Sequence, residues 1–250
     1  MQFDAMFFAL AIPAVIFAGI SKGGFASGAA FAATPILALA IPPGMALGMM
    51  LPLLMVMDAA TLRPYWKRWD TEASRLLILG GIPGVLLGAL VWRSVPPEAL
   101  KLLIGAVALG FVAFQMARRF GLLVLKPRPV GRAFGLVAGV AAGFTSFVSH
   151  AGGPPAAVYL LTKGVAKTPY QATTVLVFTV INIVKFVPFL FLGIFTAQTA
   201  LASLMLAPVA VLGAWLGVRA HRLIPERAFF AVTYVLLTLT GSKLVWDALA

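Results

Sequence analysis

Gly19-Ile-Ser-Lys-Gly-Gly-Phe-Ala-Ser-Gly28 and Gly143-Phe-Thr-Ser-Phe-Val-Ser-His-Ala-Gly-Gly-Pro-Pro155 are the two stretches whose reading decides the fold. They occupy the same place in two halves of one pattern. An ungapped shift of 124 positions lays Gly19 on Gly143, Gly28 on Gly152, Ala32-Ala33 on Ala156-Ala157, Asp58 on Asn182 and Pro64 on Pro188. One position further, Pro83 falls on Pro208 and Gly88 on Gly213. Duplication in so apolar a chain is the pattern of a carrier made of two repeats with its site between them. The halves read as residues 1–125 and 126–250, joined by the basic, proline-bearing connector around Arg118 to Arg132.

With 62% hydrophobic and 10% charged residues and a mean hydropathy of +1.03, there is too little polar surface to clothe a water-soluble globule. Ten apolar stretches follow one another from about residue 3 to 249, most of them long enough to span a bilayer, with the one after His150 plainly short. Backbone exposed to lipid must satisfy its own hydrogen bonds, so these stretches are predicted to be helices. Gly135, Gly139 and Gly143, Gly84 with Gly88, and Gly213 with Gly217 read as small faces for close helix packing. The first stretch lacks a basic leader, carries Asp4 and has a counterpart inside the chain, so it reads as mature structure.

A net charge of +12 invites a nucleic-acid reading, but the cations lie in short loops between apolar stretches and form no face. They read as cytoplasmic anchors: Arg63, Lys67, Arg68 and Arg75 in one loop, Arg118, Arg119, Lys126, Arg128 and Arg132 in the central one, and Arg219, Arg222 and Arg227 in a third. The loop at Thr196 to Gln198 carries no cation and falls outside, whereas its counterpart at Arg63 to Arg75 falls inside. The halves are therefore expected to be inverted. Five segments per half, the first two either spanning or forming a re-entrant hairpin, meet this condition with both termini outside. With no cysteine and two histidines, His150 and His221, no thiolate or histidine metal centre and no cofactor is expected.

The chemistry is expected where glycine and proline break the helices. A helix restarting after such a break presents free N–H groups and a positive dipole end, which suits an anion. Ser21, Lys22, Gly23 and Gly24 from the first break, with Ser149, His150, Gly152, Gly153 and Pro154 from the second, form the expected substrate site. Ser27 and Ser146 offer further hydroxyls. Lys22 either faces the substrate path or snorkels to the cytoplasmic surface, and His150 is either a substrate contact or a structural donor.

Asp58 is the only acid deep in the interior of an apolar stretch, and Asn182 is its neutral counterpart in the other half. A carboxylate in a membrane needs a partner. Lys185, one helical turn beyond Asn182, is the expected one, with Lys22 as the second choice; Asn182 and Lys185 are also expected at the substrate.

Gly19 to Pro35, with Ser21-Lys22-Gly23-Gly24-Phe25, and Phe144 to Leu161 resemble the two signature regions of the TauE/SafE family of sulfite-exporter-like permeases, and the resemblance covers nearly the full chain. Lys22-Gly23-Gly24-Phe25 departs from the commoner glycine-triplet form of the first region. The resemblance implies a multi-pass inner-membrane carrier, of about eight spanning helices and without an ATPase domain, for sulfite, sulfonates or related small sulfur-containing anions. A homodimer is an admissible assembly, with the lipid bilayer as surroundings and no nucleic acid as partner. The fold class is an all-α integral membrane protein, a polytopic helical bundle of two inverted repeats with broken or re-entrant helices. Export needs no coupled ion, since an inside-negative potential drives an anion outward by about 2.3 kcal/mol per charge per 100 mV. Proton-coupled uptake is the alternative, and a membrane-embedded enzyme using His150 as base and Lys22 as electrophile is a third reading.

Overall fold

The computed structural model describes residues 4–25, 29–220 and 226–249, the side chains of 220 and 226–228 excepted. Ser27, Gly28, His221 and Arg222 lie outside the described residues, as does the side chain of Arg227. Among the described residues there are ten α-helices and no strand: α1 (Ala5–Gly24), α2 (Ala33–Leu37), α3 (Pro43–Leu62), α4 (Thr71–Trp92), α5 (Pro97–Arg119), α6 (Arg132–Ser149), α7 (Gly153–Lys163), α8 (Lys167–Phe191), α9 (Ala197–Ala220) and α10 (Glu226–Leu249). A 3-10 turn at Ala29–Ala32 leads into α2.

Eight of these helices are long and apolar enough to cross a membrane, and large apolar side chains such as Leu86, Leu90, Leu204 and Leu239 are exposed on their outer faces. The chain is a multi-pass membrane protein. The two exceptions are α2 and α7. At 1.5 Å per residue, α7 covers about 16 Å, half the hydrocarbon thickness.

Local sequence sets the boundaries. Asp4 and Asp70 cap α1 and α4, each accepting a backbone N–H at 2.8 Å, from Phe7 and Ala73 respectively. Proline stands in the first turn of α3, α5 and α7, where its missing N–H costs nothing. Gly164 ends α7 at φ 76° and His150 ends α6 at φ 57°, both left-handed. His150 holds this conformation without being glycine because its ring is anchored, as described below.

Two helix pairs meet backbone to backbone. On α1, a Cβ added to Gly19 would lie 2.7 Å from the Ala214 nitrogen of α9, and on α6 a Cβ added to Gly139 would lie 2.7 Å from the Leu77 carbonyl of α4. Only glycine permits such approach. α5 packs on α10, and α3 on α8. The last pair runs antiparallel: Tyr65, just beyond the end of α3, packs with Ala172 and Val175 near the start of α8, whereas His150 joins Leu47, near the start of α3, to Phe189, near the end of α8.

Candidate functional site

Helices α1 and α6 both stop inside the bundle, and the carbonyls they leave open are met by side chains from elsewhere. At the end of α1, Gln171 Nε2 donates to the Lys22 carbonyl and the Tyr65 hydroxyl donates to the Gly23 carbonyl, both at 2.8 Å. At the end of α6, Lys185 Nζ donates to the Ser146 carbonyl and hydroxyl at 3.0 Å each. In this way carbonyls that a helix end leaves open are satisfied inside the bundle.

Asp58 is buried at the crossing of α3 and α8. Its Oδ1 meets Lys22 Nζ at 2.8 Å, and its Oδ2 accepts from Asn182 Nδ2 at 2.7 Å. The expected Asp58–Lys185 ion pair is therefore corrected: the lysine on Asp58 is Lys22. Lys185 spends its three N–H donors on Ser146 and on His150 Nδ1, the last at 2.8 Å. The Leu47 carbonyl can only accept, so Nε2 carries a proton and donates to it at 3.1 Å, while Nδ1 faces Lys185 Nζ. The imidazole is thereby held between α3 and α8.

A cavity of about 50 Å³ lies against these groups. At roughly 10–15 Å³ per water, it takes a few waters or one small ion. Its polar wall comprises Ser21, Lys22, Ser146, His150, Gly153, Gln171, Thr174 and Asn182; its apolar wall includes Phe25, Phe31, Leu54 and Phe178. Lys22 stands in its wall with Asp58 as its ion-pair partner, and Lys185 lies behind His150. The N-terminus of α7 contributes at Gly153, but Pro154 and Pro155 have no N–H, so the donors there reduce to the two glycines Gly152 and Gly153.

The family sequence model described as "Sulfite exporter TauE/SafE" matches residues 11–244. The chain belongs to the TauE/SafE family. The match runs from the first half of α1 into α10 and includes both broken ends. Membership makes the protein a membrane transporter of the sulfite-exporter type, acting on an anion within the lipid bilayer. No curated protein and no solved structure matches the chain.

Of the residues expected at the substrate of this TauE/SafE protein, Ser21, Lys22, His150, Gly153 and Asn182 line the cavity. The others stand apart from its wall. Gly23 faces α9, where a Cβ would run into the Ala214 carbonyl, and Gly152 packs against Phe178 and the Ala142 carbonyl. Ser149 turns back onto the Thr145 carbonyl at 3.0 Å. Gly24 and Pro154 are not in the wall, and Lys185 lies behind His150. Sequence reasoning missed Gln171 and Thr174. Nothing in the sequence singled out Gln171; in the structure it and Leu47, 124 positions apart, each hold the broken end of a helix from the other half of the chain.

Proposed function

We propose that this TauE/SafE chain exports a small sulfur-containing anion, such as sulfite or a sulfonate, across the inner membrane by alternating access, with the anion held in the cavity between the ends of α1 and α6. The observation that carries this reading is Lys22: the residue lines the cavity, and its ammonium meets Asp58 at one carboxylate oxygen. A lysine with one ion-pair partner among the described residues, in a wall shared with Gly153, Asn182 and Thr174, suits an oxyanion. The membrane potential then moves the anion outward without a coupled ion.

Alternating access is supported by exchange of partners between residues 1–125 and 126–250, which we take as inverted repeats. α1 packs on α9 as α6 packs on α4, and α3 meets α8 antiparallel at Asp58 and Asn182, 124 residues apart. Repeats related in this way can rock about a site on their axis. Efflux of labelled sulfite from proteoliposomes holding only this protein, accelerated by an inside-negative potential, tests the reading. Absence of efflux, or a potential that retards it, counts against it.

A second reading, proton-coupled uptake, draws on the Lys185–His150 contact. Two bases 2.8 Å apart next to the cavity can take up a second proton only by separating, which would link protonation to movement of α6 against α8. Uptake driven by an inward proton gradient, abolished in His150→Gln, would favour it over export.

A further inference from the structure

We propose that Gln171 is a specificity-determining residue, and that the anion it selects is a short organic one carrying its own hydrogen-bond donor near the charged head; the proposal rests on the cavity being the substrate site. The side-chain amide of Gln171 is oriented by the structure. Its Nε2 lies 2.8 Å from the Lys22 carbonyl, an acceptor, so the opposite orientation would bring two acceptors together. The amide oxygen is therefore Oε1, on a residue that lines the cavity and is 1% exposed, and it has no hydrogen-bond partner among the described residues.

An amide oxygen can only accept. An anion offers it nothing unless the ligand also bears an O–H or N–H. Water in the cavity would satisfy Oε1 before the ligand arrives, and a ligand that displaces this water without replacing its hydrogen bond strands a buried acceptor. Ser21 stands in the same wall, and its Oγ, also buried and without a partner among the described residues, can donate or accept. The polar wall thus divides its labour: Lys22 and Gly153 supply donors for the head, Gln171 supplies an acceptor, and Ser21 adapts. Opposite them, Phe25, Phe31, Leu54 and Phe178 form a wall suited to a short carbon segment. Bare sulfite lacks the carbon, and a plain alkyl sulfonate lacks the donor.

The test compares 2-hydroxyethanesulfonate with ethanesulfonate, which have the same charge and nearly the same size, as ligands of the purified full chain in equilibrium binding. Wild type is expected to bind the hydroxylated probe about tenfold tighter or more, the consequence of leaving one buried acceptor without a donor. Gln171→Leu should erase the preference, and Gln171→Asn should restore part of it. The ratio is internal to each protein, so a drop in folded yield does not affect it, and the wild-type ratio alone remains decisive if a variant cannot be purified. Equal binding of the two probes by wild type, a preference that survives Gln171→Leu, or binding of sulfite with neither sulfonate would overturn the proposal while leaving the site in place. Failure of sulfite and both sulfonates to bind would overturn the site assignment together with it.

Discussion

The two broken helix ends solve one problem with different residues. At the end of α1 the cation is Lys22, carried by the broken helix itself and balanced by Asp58 across the bundle. At the end of α6 the cation is Lys185, sent in from α8 and spent on Ser146 and His150. Either arrangement sets positive charge against a helix C-terminus, where the dipole favours it. Only the first leaves an ammonium on the cavity wall. In the reading proposed here, the first end serves the substrate, and the second holds His150.

The largest effect is expected from removing the cation at the first end. Lys22→Met leaves Asp58 buried with Asn182 alone, and breaking a buried pair in this way costs about 3–5 kcal/mol. Folded yield should fall and flux should vanish. Lys22→Met with Asp58→Asn should recover the yield and not the flux, and the Lys22/Asp58 double-mutant cycle should be non-additive by about 1–3 kcal/mol. Thermal unfolding in detergent, with flux measured in parallel, checks both. A Lys185/Asp58 cycle showing the larger coupling would reverse the assignment of the two lysines.

Next comes the packing that brings the first end into place. Gly23→Val drives a side chain into the Ala214 carbonyl of α9, and overpacking of this kind costs about 1–3 kcal/mol or more. The loss should appear as reduced folded protein in the membrane. Normal yield with abolished binding would instead make Gly23 a substrate contact.

At the second end, Lys185→Met strands Ser146 Oγ and His150 Nδ1, at about 1–3 kcal/mol for a buried acceptor left without a donor. Binding should weaken less than in Lys22→Met because Lys185 acts through His150. A change in the pH profile of flux is expected here and not in Gly23→Val.

The smallest effect lies at the α4 cap, away from both ends. Burial works to raise the Asp70 carboxyl, but the Ala73 N–H and Lys163, at 2.9 Å, outweigh it and hold the carboxyl below its ordinary value. A depressed carboxyl stabilises fully above its unfolded pKa near 4 and loses that contribution as pH falls through the folded value. For Lys163, burial works downward and is outweighed by Asp70 and Glu72, so its pKa is raised; its contribution is complete below about 10.4 and lost as pH rises through the folded value. Unfolding temperature should be insensitive to this pair between those limits. Asp70→Ala should cost about 1 kcal/mol as a lost cap and flatten the acid limb.

Much of this was legible in the sequence. Apolar length marked the spanning helices, glycine and proline marked the breaks, and the 124-residue offset brought Asp58 and Asn182 into one thought before the structure placed Asn182 Nδ2 on Asp58. Which side of a break a residue faces was not legible. Ser149 and His150 are neighbours, yet the left-handed turn at His150 sends its ring to Leu47 and the cavity while Ser149 folds back onto Thr145. The choice between Lys22 and Lys185 for Asp58 depended in the same way on the depth at which α1 stops. Gln171 was hidden inside an apolar stretch, where a single amide reads as packing until its oxygen is seen without a partner.

The most direct measurement is a structure of the protein with selenite in place of sulfite, so that selenium reports its own position. The account predicts an anomalous peak in the cavity between α1 and α6, within hydrogen-bond reach of Lys22 Nζ and the Gly153 N–H, and its loss in the Lys22→Met/Asp58→Asn variant. Selenium bound only at the basic loop of Arg63, Lys67 and Arg68, or retained in the cavity after both substitutions, would contradict it.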